Sequence, residues 1–266
     1  MVTVFFVATG ILYAFSCALF IALLVRGNDR VGKTATGFLA AAAVAHIGFL
    51  LADYVLADRV PFGDIRPTLS LMSLLVVLGY LVALSTHRAA VLGAFITPVT
   101  LLFFVLASLG RSVEPVPHEV RSVLLPLHIG ANVLGIVTFT FAFAVAVAYV
   151  IQEHLLRKKR VGGLFKRLPA LDVLDSLGLR LLTIGFPLLT VGIVTGGLWA
   201  TRLDRGGSVI SGAQGFALIA WVIFAAVLLL RVAAGWRGRR AAIGTLLGYA
   251  CALVVVAGYL VRGGSA

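Results

Sequence analysis

Long apolar runs separated by short polar interruptions make up the whole chain. Eight runs are long enough to cross a bilayer, which needs roughly 20 residues because the hydrocarbon layer is about 30 Å thick and a helix rises 1.5 Å per residue. They are Val2–Val25, Gly37–Ala57, Pro67–Thr86, Ala89–Leu109, Leu124–His154, Leu179–Thr201, Ile210–Val232 and Ala241–Val261. The pattern predicts an all-α, polytopic membrane protein of eight transmembrane helices forming one transmembrane domain over residues 1–266. No basic residue precedes the first run, so it reads as a retained span and not as a cleaved signal peptide.

The interruptions set the expected orientation. Alternate loops collect Arg26, Arg30 and Lys33, then Arg88, then the cluster from Arg157 to Arg180, then Arg231, Arg237, Arg239 and Arg240. The other side holds the sparser Arg59, Arg66, Arg111, Arg121, Arg202, Arg205 and Arg262. Lys and Arg accumulate on the cytoplasmic side. Both termini are therefore expected outside, in a multi-pass protein of a bacterial inner membrane. The break at His87-Arg88 is the shortest of these interruptions.

Composition sharpens this picture. The chain is 61% hydrophobic and 12% charged, about half the charged fraction of a soluble domain. Its net charge of +12 lies in short loops between spans, which argues for the bilayer as partner and against nucleic acid. Cys17 and Cys251 fall inside apolar runs and read as small buried hydrophobes. In the longest interruption, Leu155–Gly178, Leu168, Leu171, Leu174 and Leu177 recur every three residues with Asp172 and Asp175 on another face. That spacing fits either a short amphipathic helix lying at the interface or a plain re-entry segment.

Chemistry is confined to few residues. No carboxylate pair, Ser-His-Asp set or phosphate-binding loop is present, and no two histidines stand at zinc-ligand spacing, so a non-enzymatic role is expected. His87 and His154 close helices at the basic side, and His118 lies in a polar loop. His46 falls near mid-bilayer, where an ionisable side chain must find a partner inside the bundle. It reads equally as a ligand and as hydrogen-bonded glue between helices. His128 lies one turn into the fifth run, with Asn132 and Gly135 on the same stripe. A neutral imidazole is the commonest metal ligand, and a neighbouring amide can fix its tautomer. The pairs Gly192-x-x-x-Gly196 and Gly244-x-x-x-Gly248 read as helix-packing signals.

Several motifs between Leu124 and Trp199 belong together: the helix start around His128, Tyr149-x-x-Gln152-Glu153-x-x-Leu156, Leu168-Pro169-x-Leu171-x-x-Leu174-Asp175, Gly185-Phe186-Pro187-x-x-Thr190 and Gly196-x-x-Trp199-Ala200. In this order they resemble the cytochrome c assembly superfamily, the CcsA/CcmC/HemX-like haem-handling membrane proteins, with a core over about residues 124–232. The chain departs from that pattern after Trp199, where Thr201-Arg202-Leu203-Asp204-Arg205-Gly206-Gly207-Ser208 replaces an acidic, tryptophan-rich loop. That departure, with a histidine in the second span, is closest to the HemX-like branch. The resemblance implies a non-covalently held b-type haem and a role in cytochrome c maturation or haem homeostasis. His128 and His46 become the candidate iron ligands, with Asn132, Trp199, Arg202 and Arg121 as further cofactor contacts. The implied partners are haem and a maturation protein, or a cytoplasmic tetrapyrrole-synthesis enzyme docked on residues 155–178. A slot at the outer rim, lined by His128 and aromatic side chains, is the expected site.

Overall fold

A computed structural model describes residues 2–57, 65–86, 90–109, 124–202 and 212–262. Among these the chain is entirely helical: α1 (Val2–Arg26), α2 (Asp29–Ala57), α3 (Ile65–Thr86), α4 (Gly93–Leu109, entered through a 3₁₀ turn, Ala90–Leu92), α5 (Leu124–Arg157), α6 (Leu164–Arg167), α7 (Leu171–Arg202), α8 (Gly212–Ala233) and α9 (Arg239–Arg262). All except the four-residue α6 are long and apolar enough to cross a membrane, giving eight spans. The His87-Arg88 break, Arg121, Arg205 and His118 lie outside the described residues.

Two departures from the apolar pattern have local causes. α2 starts at Asp29, well before Gly37, because Arg30, Lys33 and Thr34 stay helical with exposed side chains. The Asn28 side chain accepts from the Arg30 amide (2.9 Å) and starts the helix. The leucines from Leu171 to Leu177 do not form a separate interfacial helix. They are the first turns of α7, which continues to Arg202 through Gly178 and Pro187. Leu174 is buried in the core while Asp172 faces outward. The short helix of this region is instead α6, upstream of Pro169.

The spans form two four-helix rings. α1 packs on α2, α2 on α3, α3 on α4, and α4 back on α1. In the same cyclic order α5 packs on α7, α7 on α8, α8 on α9, and α9 back on α5. The rings meet through α3 and α4 against α5, where the Phe141 ring lies over Gly79. Lipid is as apolar as leucine, so cohesion here comes from close packing and interhelical hydrogen bonds. In the second ring Phe139 stacks on Phe224 (3.9 Å), Phe143 on Tyr249 (4.9 Å), and the Trp221 indole donates to Thr190 Oγ1 (2.9 Å).

At the basic end, two polar ties close the bundle. Asp175 of α7 accepts from Arg231 Nη2 (2.9 Å) and from the Gly238 amide (2.9 Å), fastening the α8–α9 turn to α7. Arg167 of α6 donates to the carbonyls of Leu24 (2.8 Å) and Val25 (2.6 Å), capping α1 of the other ring. These are the orphan carbonyls that every helix C-terminus leaves. Gly27, at φ +67°, ends α1 beneath that guanidinium, where a Cβ would collide with it.

A histidine seam between two antiparallel helices

α5 and α7 form the most extensive helix pair in the molecule. They run antiparallel, and their contacts repeat in steps of about four residues, the spacing that keeps a helix on one face. Counting from the end opposite the basic loops, His128 meets Gly196, Asn132 meets Gly192, Gly135 meets Leu188 and Leu189, and Phe139 meets Gly185. Bulk on one helix is matched by its absence on the other. A Cβ on Gly196 would come within 2.5 Å of the His128 ring, and one on Gly192 within 2.5 Å of Asn132 Oδ1. The Gly192/Gly196 pair therefore does more than draw two backbones together. It opens the space that two polar side chains of α5 occupy.

The local sequence explains why His128 stands there. Pro126 sits in the first turn of α5, where its missing N–H breaks no helical bond. His128 follows two residues later, one turn into the helix and half-buried. Its Nδ1 lies 2.7 Å from the Gly192 carbonyl oxygen. A carbonyl only accepts, so Nδ1 carries the proton and the lone pair of the neutral ring is on Nε2. Asn132 Nδ2 donates to the His128 carbonyl (2.8 Å) and lies against the ring, 3.2 Å from Nδ1 and 3.4 Å from Nε2. The second distance is beyond the ordinary N–H range, so the Nε2 lone pair is little used by the protein.

His46 is placed differently. It is wholly buried in the first ring, with Nδ1 2.8 Å from the Tyr13 hydroxyl and Nε2 2.8 Å from the Ser70 hydroxyl. Phe104 (5.0 Å) and Tyr13 (5.6 Å) meet the ring edge to face, and Phe49 flanks it. Both nitrogens are engaged, and α1, α3 and α4 all touch this one side chain of α2. The two histidines belong to different rings and share no neighbour, so they do not converge on one point.

Of the other expected contacts, Asn132 joins His128 directly. Trp199 and Arg202 fall in the last turn of α7, the turn following Gly196. Arg121 lies outside the described residues. The expected slot takes a different form. Beside the seam is an open, almost wholly apolar groove of about 360 Å³, walled by Leu127, Gly130 and Leu134 of α5 and by Pro187, Leu188 and Val191 of α7. It is aliphatic where aromatic walls are expected, and His128 is not among its lining residues, although Leu127 beside it in the chain is. The Gly192 carbonyl and the Gly196 clearance were not apparent as site features from the sequence. Their only trace there is an i, i+4 glycine pair mirroring an i, i+4 His-Asn pair. Among the described residues no three His, Cys, Asp or Glu side chains cluster as a metal cage.

Fold and seam together define a polytopic helical membrane protein with a polarised histidine packed between α5 and α7 and an apolar groove beside that helix pair. The chain belongs to the cytochrome c assembly protein family, whose model matches residues 65–263. It is similar to the cytochrome c biogenesis protein CcsA of Gloeothece citriformis, 26% identical over 259 residues and 78% of each chain. The CcsA protein of Gloeobacter violaceus is 27% identical over 270 residues, covering 80% of this chain and 79% of that one. The CcsA protein of Nostoc punctiforme reaches 43% identity over 86 residues, 32% of this chain and 24% of that one. Among solved structures, the cytochrome c heme lyase CcmF shares the fold with a TM-score of 0.67 at 17% identity, over 98% of this chain. This chain spans about half of that protein's length (51%).

Proposed function

We propose that this protein binds haem at the α5–α7 seam and acts as a non-enzymatic haem-handling accessory in cytochrome c maturation. The observation that carries the reading is the polarity of His128. Its Nδ1–H is committed to the Gly192 carbonyl, so Nε2 is the nitrogen left to meet a metal. One imidazole nitrogen donating to a backbone carbonyl, leaving the other to the metal, is how proteins orient a metal-ligating histidine and raise its basicity. The adjacent aliphatic groove supplies a bed for one face of a non-covalently held, b-type macrocycle. Arg202 and Arg121 are the cations assigned to its carboxylates on this reading.

This reading makes His128 the single protein ligand and leaves His46 as structure. Haem handling of this kind places the cargo near the membrane surface opposite the basic loops, where a maturation partner reaches it. The test is a visible spectrum of the purified, haem-reconstituted protein. A Soret band that disappears in His128→Ala and survives in His46→Gln supports the site. A wild-type protein that stays colourless at saturating haem overturns it.

A further inference from the structure

The basic end carries a second arrangement that haem binding does not use. Glu153, only 14% exposed, lies between two arginines from different spans. Its Oε1 accepts from Arg157 Nε (3.1 Å) and Nη2 (2.7 Å), and its Oε2 is 3.8 Å from Arg239 Nε at the start of α9. The arginines themselves are 67% and 54% exposed. One mostly buried carboxylate thus faces two guanidinium groups, hydrogen-bonded to Arg157 through Nε and Nη2 and ion-paired with Arg239.

The chain around them keeps further cations close. α5 ends in a tight reversal in which the Arg160 amide donates to Leu155 O (2.9 Å) and the Lys159 amide to Leu156 O (2.9 Å). Lys159 takes the left-handed position (φ 55°) that glycine usually fills in this reversal. Lys158, Lys159 and Arg160 are thereby folded back beside the helix end, all exposed. Arg237 and Arg240 are exposed on the neighbouring turn, and the Arg240 guanidinium lies 5.8 Å from the half-buried Trp236 ring. None of these five cations has an acidic partner among the described residues.

We propose that Arg157 and Arg239, aligned by Glu153, form a binding site for the phosphate of an anionic phospholipid headgroup. The guanidinium N–H groups that Glu153 does not take are charged donors suited to phosphate oxygens. The depth is that of headgroups: Arg157 and Arg239 stand at the ends of two membrane spans, exposed Leu156 precedes Arg157, and Trp236 marks the interfacial level where tryptophan concentrates. No wall encloses the pair as it would a soluble phosphate metabolite. The remaining cations add the diffuse attraction that draws anionic lipid, worth about fivefold in affinity for each Lys or Arg near the surface.

Native mass spectrometry of the purified full chain tests the site, with phosphatidylglycerol, phosphatidylcholine and inorganic phosphate as ligands. The expected result is retained phosphatidylglycerol at least fivefold over phosphatidylcholine, reduced about fivefold in Arg239→Gln. The decisive variant is Glu153→Gln. It makes the protein more positive, so diffuse attraction alone would strengthen lipid binding, whereas loss of the aligning carboxylate weakens it. Tighter binding in Glu153→Gln overturns the proposal, as does competition by inorganic phosphate as effective as that of the lipid. Circular dichroism of each variant confirms that its helices are intact before binding is scored.

Discussion

His46 and His128 are the same side chain in two four-helix rings of the same neighbour order, and they do opposite things. In the first ring the imidazole is enclosed, with a hydroxyl on each nitrogen and aromatic rings around its edge. In the second ring it is half-buried, with a carbonyl on one nitrogen and the other nearly bare. A hydroxyl donates or accepts, so Tyr13 and Ser70 accommodate either tautomer of His46. A carbonyl accepts only, so Gly192 allows one tautomer of His128. On the proposed reading, the difference between the structural histidine and the ligand therefore lies in the partners each ring nitrogen meets.

Substitution separates the two roles. His46→Ala carries the largest expected effect on stability, because it empties a filled core position and strands two hydroxyls among four helices. The loss should be about 2–4 kcal/mol, read by thermal or chemical unfolding in detergent. The protein that remains folded should still bind haem in proportion to its amount. A variant of wild-type stability would mean that His46 is not the tie point of the first ring. A folded variant without a Soret band would make it a ligand after all.

His128→Ala should reverse that pattern. Haem affinity is expected to fall by about a hundredfold, or about 2.8 kcal/mol, with a stability change of about 1 kcal/mol, since the ring is only half-buried and its bond to Gly192 is a single one. Gly196→Ala tests the seam from the other side. Its methyl would overlap the ring, so α7 must move or His128 must leave its position, at about 1–3 kcal/mol of stability. Haem binding should weaken in the same variant although no ligand has been removed. Unchanged binding would show that the ring needs no fixed place.

These tests also mark what the sequence disclosed. The spans were legible because lipid imposes a simple demand, twenty apolar residues between polar stops. His128 and Asn132 were legible as a pair because one helix's periodicity relates them. Gly192 and Gly196 lie on a different helix some sixty residues later, and their meaning depends on which turn of α7 faces which turn of α5. That register comes from the whole packed interface, down to Phe139 on Gly185, and no local pattern encodes it. His46 was ambiguous for a similar reason. Tyr13 and Ser70 come from helices on either side, and neither carries a mark that it points toward α2. The extra turns of α2 escaped the hydropathy pattern because exposed Arg30 and Lys33 extend a helix without extending an apolar run.

The smallest expected effect is the most informative about the seam. Asn132 removes no ligand when replaced by alanine, and the Gly192 carbonyl still selects the tautomer. What is lost is the amide that lies along the ring and is tied to the His128 carbonyl at 2.8 Å. If that amide holds the imidazole in place, Asn132→Ala should weaken haem binding about tenfold, the low end for groups that orient a metal ligand, with little change in unfolding temperature. The amide also lies 3.4 Å from Nε2, and a competing role would have the opposite sign: freeing the lone pair would tighten binding. A haem titration of this one variant, followed at the Soret band, distinguishes support from competition by its direction alone. Only the weakening is compatible with an amide that holds the ring for ligation through Nε2.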